Sequence, residues 1–342
     1  MAKYQAAAQI KKLIESANKI VVVQADNPDT DSLASSLALE QILGDLGKQV
    51  SLYCGVDLPS YLHYIEGWDR VERQLPKNFD LAILVDVSSD TLLEKLGTTG
   101  QKLWLKSRPI IIIDHHTTAA TIDYATVQLL EEAVASGEII YELTQALKWP
   151  LNQKAKNMLA IAILSDSLGL MTEATTARSI QIIAELVEQG VKLPELENAR
   201  RETQRREPEL VHYKGRLLQR VEYYSDDRIA TLTIPWEEIE TYSPLFNPPM
   251  LVIDDMRLAK GTHLAICFKT YPDGKVTAKL RSNYGYPVAA KLAEHFGGGG
   301  HPYAAGFKVQ DGRLYDELKR EAIEVTTKLL DDIGQEPKHE TI

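Results

Sequence analysis

Val21-Val22-Val23-Gln24-Ala25-Asp26-Asn27-Pro28-Asp29-Thr30-Asp31-Ser32 is the stretch from which the fold is read. The β-branched run Ile20 to Val23 reads as a buried strand. Asn27-Pro28 breaks it as a turn signal. Asp31-Ser32 then opens a helical pattern through Leu33, Leu37, Leu39 and Leu43. Asp29 and Asp31 therefore stand where a strand ends and a helix begins, the edge at which open α/β sheets bind ligands. Two carboxylates this close repel each other unless a cation lies between them. Their plainest role is local, with Asp31 as helix N-cap and Asp29 as turn residue.

The same pattern returns twice. Leu81 to Val85 is an apolar strand ending on Asp86, and Ser88-Ser89-Asp90 behind it begins a helix. Ile110 to Ile113 is another, ending on Asp114-His115-His116. A further strand spans Gln49 to Tyr53 after Gly47. Strands alternating with helices imply a parallel sheet, whose C-terminal ends share one edge. An aspartate and two adjacent imidazoles at one strand end point to a metal site, because imidazole ligates first-row metals and a carboxylate orients it from behind. His63, in a loop with Pro59 and Tyr61, has no partner at ligand spacing and reads as a surface or packing residue.

Helices are expected over Ser136 to Leu147, from Asn152, and over Ala177 to Glu188 before Gly190, with a polar loop at Thr172 to Thr176. The Asn152 helix buries Met158, Leu159, Ala162 and Ile163 and runs into Asp166, a carboxylate on the unfavourable end of the helix dipole. It is either an exposed helix end or a fourth metal carboxylate.

Composition narrows the function. The chain has 342 residues, 44% hydrophobic and 25% charged, enough for two domains with a sizeable core. A net charge of −10 argues against a duplex-DNA binder, which needs a basic footprint, and favours short anionic ligands over long polyanions. Cys54 and Cys267 give neither a disulfide framework nor zinc spacing, and fit a reducing cytoplasm. No stretch is apolar enough to span a bilayer. The N-terminal segment reads as an amphipathic helix with Ile10, Leu13 and Ile14 inward.

After the charged helical connector Pro194 to Pro208, whose arginines read as a solvated face, strands dominate: Arg228 to Ile234, Leu264 to Lys269 and Val276 to Leu280. Asp273-Gly274 is a hairpin turn. A helix from Pro287 to His295 leads into Gly297-Gly298-Gly299-Gly300-His301-Pro302-Tyr303-Ala304-Ala305-Gly306, before a strand at Phe307 to Val309. Glycines admit a phosphate or base close to backbone N–H groups, and Arg281 and His301 add side-chain donors. Arg281 is otherwise an ordinary strand-end cation.

Asn27-Pro28-Asp29-Thr30-Asp31, Asp86, Asp114-His115-His116, Asp166 and the glycine segment fall in the order and spacing of the DHH phosphoesterase superfamily. The glycine segment is similar to the signature of its C-terminal DHH-associated domain, first subtype, and the resemblance covers residues 5 to 330. Within the superfamily the chain resembles the oligoribonuclease and 3′-phosphoadenosine-5′-phosphate (PAP) phosphatase group, with stand-alone cyclic-di-AMP phosphodiesterases as near relatives.

The resemblance implies a parallel-sheet α/β domain flanked by helices (1–192), a charged linker (193–215), a smaller mixed α/β domain (216–330) and a flexible tail (331–342), with the active site in the cleft between the domains. It implies two divalent ions, Mn²⁺ preferred over Mg²⁺, sharing Asp86. One ion is also held by Asp29, the other by Asp31, His115 and Asp166. His116 contacts the scissile phosphate and Asp114 orients the histidines. Arg281, Ser282, Gly298, Gly299, Gly300 and His301 bind the nucleotide. Dimers are common in the family.

The sequence departs from the family at Ala25, where motif I starts with a metal-binding histidine. A methyl group cannot ligate, so the Asp29 ion is expected to bind more weakly, with Asp26 as a substitute ligand if the strand has ended by then. The expected function is a cytoplasmic, metal-dependent phosphodiesterase cutting short oligoribonucleotides or linear dinucleotides to mononucleotides. The alternatives are a cyclic-di-AMP phosphodiesterase, a PAP phosphatase, or a nucleotide sensor weakened by Ala25.

Overall fold

In the computed structural model, which describes residues 2–116 and 120–335, the chain divides into units 1–205 and 206–342. The first unit is built on β1 (Lys19–Val23), β2 (Gln49–Tyr53), β3 (Val71–Glu72), β4 (Leu81–Val85), β5 (Ile110–Asp114) and β6 (Val127–Leu130). All neighbouring pairs are parallel, in the order β3-β2-β1-β4-β5-β6. The chain winds outward from β1 through β2 to β3, then returns to lay β4 on the other side of β1. That reversal opens a crevice beyond the C-terminal ends of β1 and β4, where open α/β sheets bind ligands.

The helices are α1 (Ala2–Ser16), α2 (Thr30–Asp45), α3 (Glu94–Thr98), α4 (Lys102–Leu105), α5 (Ser136–Leu147), α6 (Gln153–Asp166), α7 (Ala177–Glu188) and α8 (Leu193–Gln204). Every residue of β4 and β5 is buried, as expected of strands covered on both faces. Ile20 and Val22 enter one apolar core with Leu33 and Leu37 of α2 and Leu159 of α6; Val21 and Val23 enter another with Leu96 and Leu105. Ile10 and Ile14 of α1 are buried and Leu13 packs beside them. The expected helices 136–147 and 177–188 are observed as read, and the third starts behind an Asn152 cap and ends on Asp166. Strand β6 went unforeseen because it is four residues long and lies at the sheet edge.

The second unit contains α9 (Pro208–Leu218), α10 (Trp236–Tyr242), α11 (Pro249–Arg257), α12 (Ala289–His295) and α13 (Tyr315–Gln335). Its sheet is formed by β7 (Glu222–Tyr224), β8 (Ile229–Ile234), β9 (Leu264–Thr270), β10 (Val276–Ser282), β11 (Gly299–His301) and β12 (Ala304–Val309). The order is β11-β12-β10-β9-β8-β7, with β8–β9 parallel and the other pairs antiparallel. The β9–β10 hairpin turns at Asp273-Gly274, where Gly274 has a φ of 76°.

Three details differ from expectation. The connector packs from residue 208 on, because Leu210, Tyr213 and Leu217 of α9 are buried in the second unit's core. Residues 331–335 continue α13, and Asp331 pairs with Arg228 at 2.7 Å, so the expected tail is helical there; residues 336–342, with His339, lie outside the described residues. The glycines 299–300 form a strand with His301, paired to β12. A Cβ on Gly298 would lie 2.3 Å from the Gly306 carbonyl oxygen, and one on Gly300 would lie 2.6 Å from Ala305 Cα, so this close pairing requires glycine. Cys54 and Cys267 are free and buried, and burial pushes their thiols up to about 11 and about 12. Among the described residues, no helix is long and apolar enough to cross a membrane.

Candidate active site

The crevice at the end of β1 and β4 collects the acidic groups. Asp29 takes the cap of α2, accepting the Ser32 N–H at 3.0 Å. The expected cap role of Asp31 is thereby overturned. Asp31 lies inside the first turn, fully buried, and its carboxylate faces the start of α5. The Ser136 N–H donates to Asp31 Oδ2 at 2.7 Å, and the Gly137 N–H donates to Oδ1 at 3.2 Å. The Ser35 hydroxyl donates to Oδ1 at 2.7 Å. A helix N-terminus with free N–H groups suits a buried carboxylate. Even so, burial first, and Asp29 second, raise the Asp31 pKa.

Asp86 leaves β4 with a φ of 60°, a conformation strained for a residue with a Cβ. Its N–H still donates to Ile113, while its Oδ1 accepts the Ser136 hydroxyl at 3.1 Å. Burial and the Asp31 charge raise its pKa well above the ordinary carboxylate range. Asp166, at the end of α6, is pushed up to about 7 by burial and then by Asp31 and Asp29.

His115 stands among them. Its Nε2 is 3.4 Å from Asp86, 3.6 Å from Asp166 and 3.8 Å from Asp31. Its Nδ1 lies 3.1 Å from the Ala133 carbonyl. A carbonyl can only accept, so Nδ1 carries the hydrogen of the neutral ring and Nε2 presents a lone pair. That Nε2 is buried without a hydrogen-bond partner. Burial works against an imidazolium here, but Asp86 and Asp31 outweigh it and push the ring up to about 10.

The donor set fits a divalent cation. Asp31, His115 and Asp166 bring ligand atoms within 4.8 Å of one another, and so do Asp86, His115 and His116. Carboxylate oxygen with imidazole suits a borderline-hard first-row metal. His116 Nδ1 is 2.7 Å from Asp114 Oδ1, and that carboxylate chiefly raises the ring's pKa. Burial acts to raise Asp114, but His116 and Ser88 hold it below the ordinary range. Asp29, engaged as a cap, belongs to neither ligand cluster among the described residues.

Ala25 is buried in the apolar core with Val23 and Tyr53. Asp26 belongs to neither ligand cluster among the described residues. Its Oδ2 accepts the Lys95 N–H at 2.8 Å, and its Oδ1 lies against Gly55.

In the second unit, Arg281 and Gly298 to Gly300 line one groove of about 630 Å³. Ser282 is not with them: the pleat of β10 turns it to the opposite face, where it is 1% exposed. His301 is exposed at the end of β11, its ring 6.4 Å from that of Tyr303. Lys269 and Lys279 share the groove walls with Arg281.

Sequence reasoning missed Ser35, Ser136 and Gly137, which hold the carboxylates, and Lys269 and Lys279. A Ser-Gly pair at a predicted helix start was the available signal for the former. Alternation of Thr277, Lys279 and Arg281 on β10 was the signal for Lys279, whereas Lys269 is placed by the register of β9 against β10.

Residues 19–168 match the model of the DHH family, N-terminal domain, and residues 251–329 match the DHHA1 domain. The chain is 25% identical over 333 residues to the bifunctional oligoribonuclease and PAP phosphatase NrnA of Thermus thermophilus, covering 97% of this chain and 96% of the relative. It is 24% identical over 306 residues to the Bacillus subtilis protein of the same name, covering 88% and 91%. The fold is shared with an exopolyphosphatase-related protein from Bacteroides fragilis, at a TM-score of 0.76 and 19% identity, over 96% of this chain and 98% of that one.

Proposed function

The chain is a DHH-family protein with a C-terminal DHHA1 domain, and from that premise we propose that it is a metal-dependent phosphodiesterase of short oligoribonucleotides and linear dinucleotides. The observation that carries this is His115 Nε2, buried and unpartnered among Asp31, Asp86 and Asp166 at the sheet's switch point. The Thermus thermophilus and Bacillus subtilis relatives, each named a bifunctional oligoribonuclease and PAP phosphatase and covered over nine-tenths or more of their length, support the substrate class.

Asp31, His115 and Asp166 would hold one divalent ion, with Mn²⁺ preferred, and Asp29 and Asp86 a second, with Asp86 shared. Ions so bound would supply Lewis-acid activation of a water nucleophile and neutralise charge building at phosphorus. The protein residues do the rest. Ser136, Gly137 and Ser35 fix both oxygens of Asp31, so its carboxylate is oriented before any ligand arrives. The Ala133 carbonyl fixes the His115 tautomer. Asp114 turns His116 and favours its protonated form, giving a cationic donor for a phosphate oxygen. The Arg281 groove would hold the nucleotide's phosphate.

The test is hydrolysis of pApA with Mn²⁺, beside an Asp86→Ala control. AMP release that disappears in the variant supports the proposal. Ala25 motivates a second reading, a nucleotide sensor: tight pApA binding without release would favour it. Release of phosphate from PAP, with pApA untouched, would instead select the phosphatase activity.

A further inference from the structure

Helix α7 is apolar on two sides. Toward the core of the first unit it buries Ile182, Ile183 and Leu186. On its outer side Ala177, Ile180, Ala184 and Val187 are exposed, Ile180 at 51% and Val187 at 43%. A surface helix whose outer side meets only water carries polar residues there. These four stand at i, i+3, i+7 and i+10, the spacing that lines up side chains as a seam against a second helix. Beside α7, Leu129, Ile139, Leu143 and Ala146 line a hollow of about 290 Å³ whose wall includes Arg178. The apolar face thus reaches beyond one helix, and a contiguous face of that kind marks an interaction surface.

The order of residues along the seam identifies the occupant. Small and large side chains alternate: Ala177, Ile180, Ala184, Val187. Against an antiparallel copy of α7 related by a two-fold axis, Ala177 faces Val187 and Ile180 faces Ala184. Each contact then joins a large side chain to a small one, the arrangement in which facing layers interdigitate without voids. A parallel copy would instead set Ile180 on Ile180 and Ala177 on Ala177, a clash followed by a gap. The order reads the same in both directions, as a two-fold interface demands and a foreign partner does not.

Charge agrees with this occupant. A quarter of the chain is charged, yet none of the four seam residues is. Arg178 and Glu185, on the flank, are bound to each other at 3.0 Å, and Arg178 also donates to Glu142 of α5 at 3.0 Å. Gln181, beside the centre of the seam, is uncharged, so the two-fold brings no like charges together there.

We propose that two copies of this chain associate through α7, packed antiparallel about a two-fold axis at the level of Ile182, with Ile180 of each copy seated on Ala184 of the partner subunit. This association does not depend on the catalytic reading of the first unit, since none of its metal-site residues lies on α7.

The experiment is sedimentation velocity on the full chain over a concentration series. The native chain is expected to form a species of twice 38.2 kDa. Ile180→Glu should be monomeric where the native chain is dimeric. Ile180→Ala, which leaves a gap, and Ala184→Ile, which sets isoleucine on isoleucine, should each weaken the dimer on the order of ten-fold or more. The double variant Ile180→Ala with Ala184→Ile restores the large-on-small order and should recover the dimer. Leu103→Glu, at a residue 80% exposed on α4 across the sheet, should change nothing. Circular dichroism of the diluted variants checks that each is folded, and the exposed Ile180→Ala and Ala184→Ile pair decides the point even if Ile180→Glu does not fold. A native chain that sediments as a monomer at every concentration would overturn the proposal. So would a folded Ile180→Glu variant that remains dimeric, or a double variant no better than its single parents.

Discussion

Removing metal should leave a pH-dependent weakness in the first unit, and Asp166 is where it can be measured. In the metal-free chain its carboxyl is raised from 3.8 to about 7, mainly by burial and then by Asp31 and Asp29. A group with a raised folded-state value holds its proton more tightly folded than unfolded. Stability from Asp166 protonation is therefore complete below about pH 4 and is lost as pH rises through about 7. The difference of roughly three pH units corresponds to about 4 kcal/mol. The side chain is 26% exposed, so solvent screening trims this only in part. For a unit of some 200 residues that is a change in Tm on the order of 10 °C. His115, raised to about 10, loses its contribution only at higher pH, from its ordinary 6.5 upward through 10. Substitution of Asp166 by Asn isolates the carboxylate. In EDTA at pH 8, Asp166→Asn should melt several degrees above the native chain, and the two should converge by pH 4.5. With Mn²⁺ at pH 8 the native chain should gain stability and the variant far less. Melting curves of the two proteins that stay parallel from pH 4.5 to 8 in EDTA would refute the reasoning.

Other consequences follow from the same geometry. Gly137→Ala places a Cβ 2.6 Å from that of Ala162; overpacking of this kind costs about 1–3 kcal/mol. It should also push α5 off Asp31, so urea midpoints and Mn²⁺ affinity by calorimetry should fall together. Asp114→Asn removes the carboxylate behind His116 while leaving Asp31, His115 and Asp166 in place. Turnover should drop about 10- to 100-fold with Mn²⁺ binding nearly unchanged, as kinetics and titration on one preparation would report. Asp29→Ala deletes the α2 cap and should cost about 1 kcal/mol in chemical denaturation of the metal-free chain. In crystals soaked at low Mn²⁺, anomalous scattering should appear first beside Asp31, His115 and Asp166. Equal occupancy beside Asp29 would show that Ala25 does not weaken that position.

The sequence by itself determined the alternation of apolar strands and helices, and with it the parallel sheet. Strand-end residues are legible because an apolar run is cut at a defined place: Asp86 and Asp114-His115-His116 needed no neighbour to be noticed. Asp166 was legible because a carboxylate at a helix C-terminus opposes the dipole. Local chemistry of this kind is written in consecutive residues. What only the tertiary structure decided is non-local. Strand order placed β4 against β1 and made the crevice; nothing in either strand states its neighbour. The exchange of roles at the α2 start, with Asp29 as cap and Asp31 buried, depends on Ser136 and Gly137, 105 and 106 residues further on. The withdrawal of Asp26 to Lys95 depends on a segment 69 residues away. The pleat removed Ser282 from the Arg281 groove and aligned Lys269 with Lys279, because register across a hairpin sets which side chains share a face.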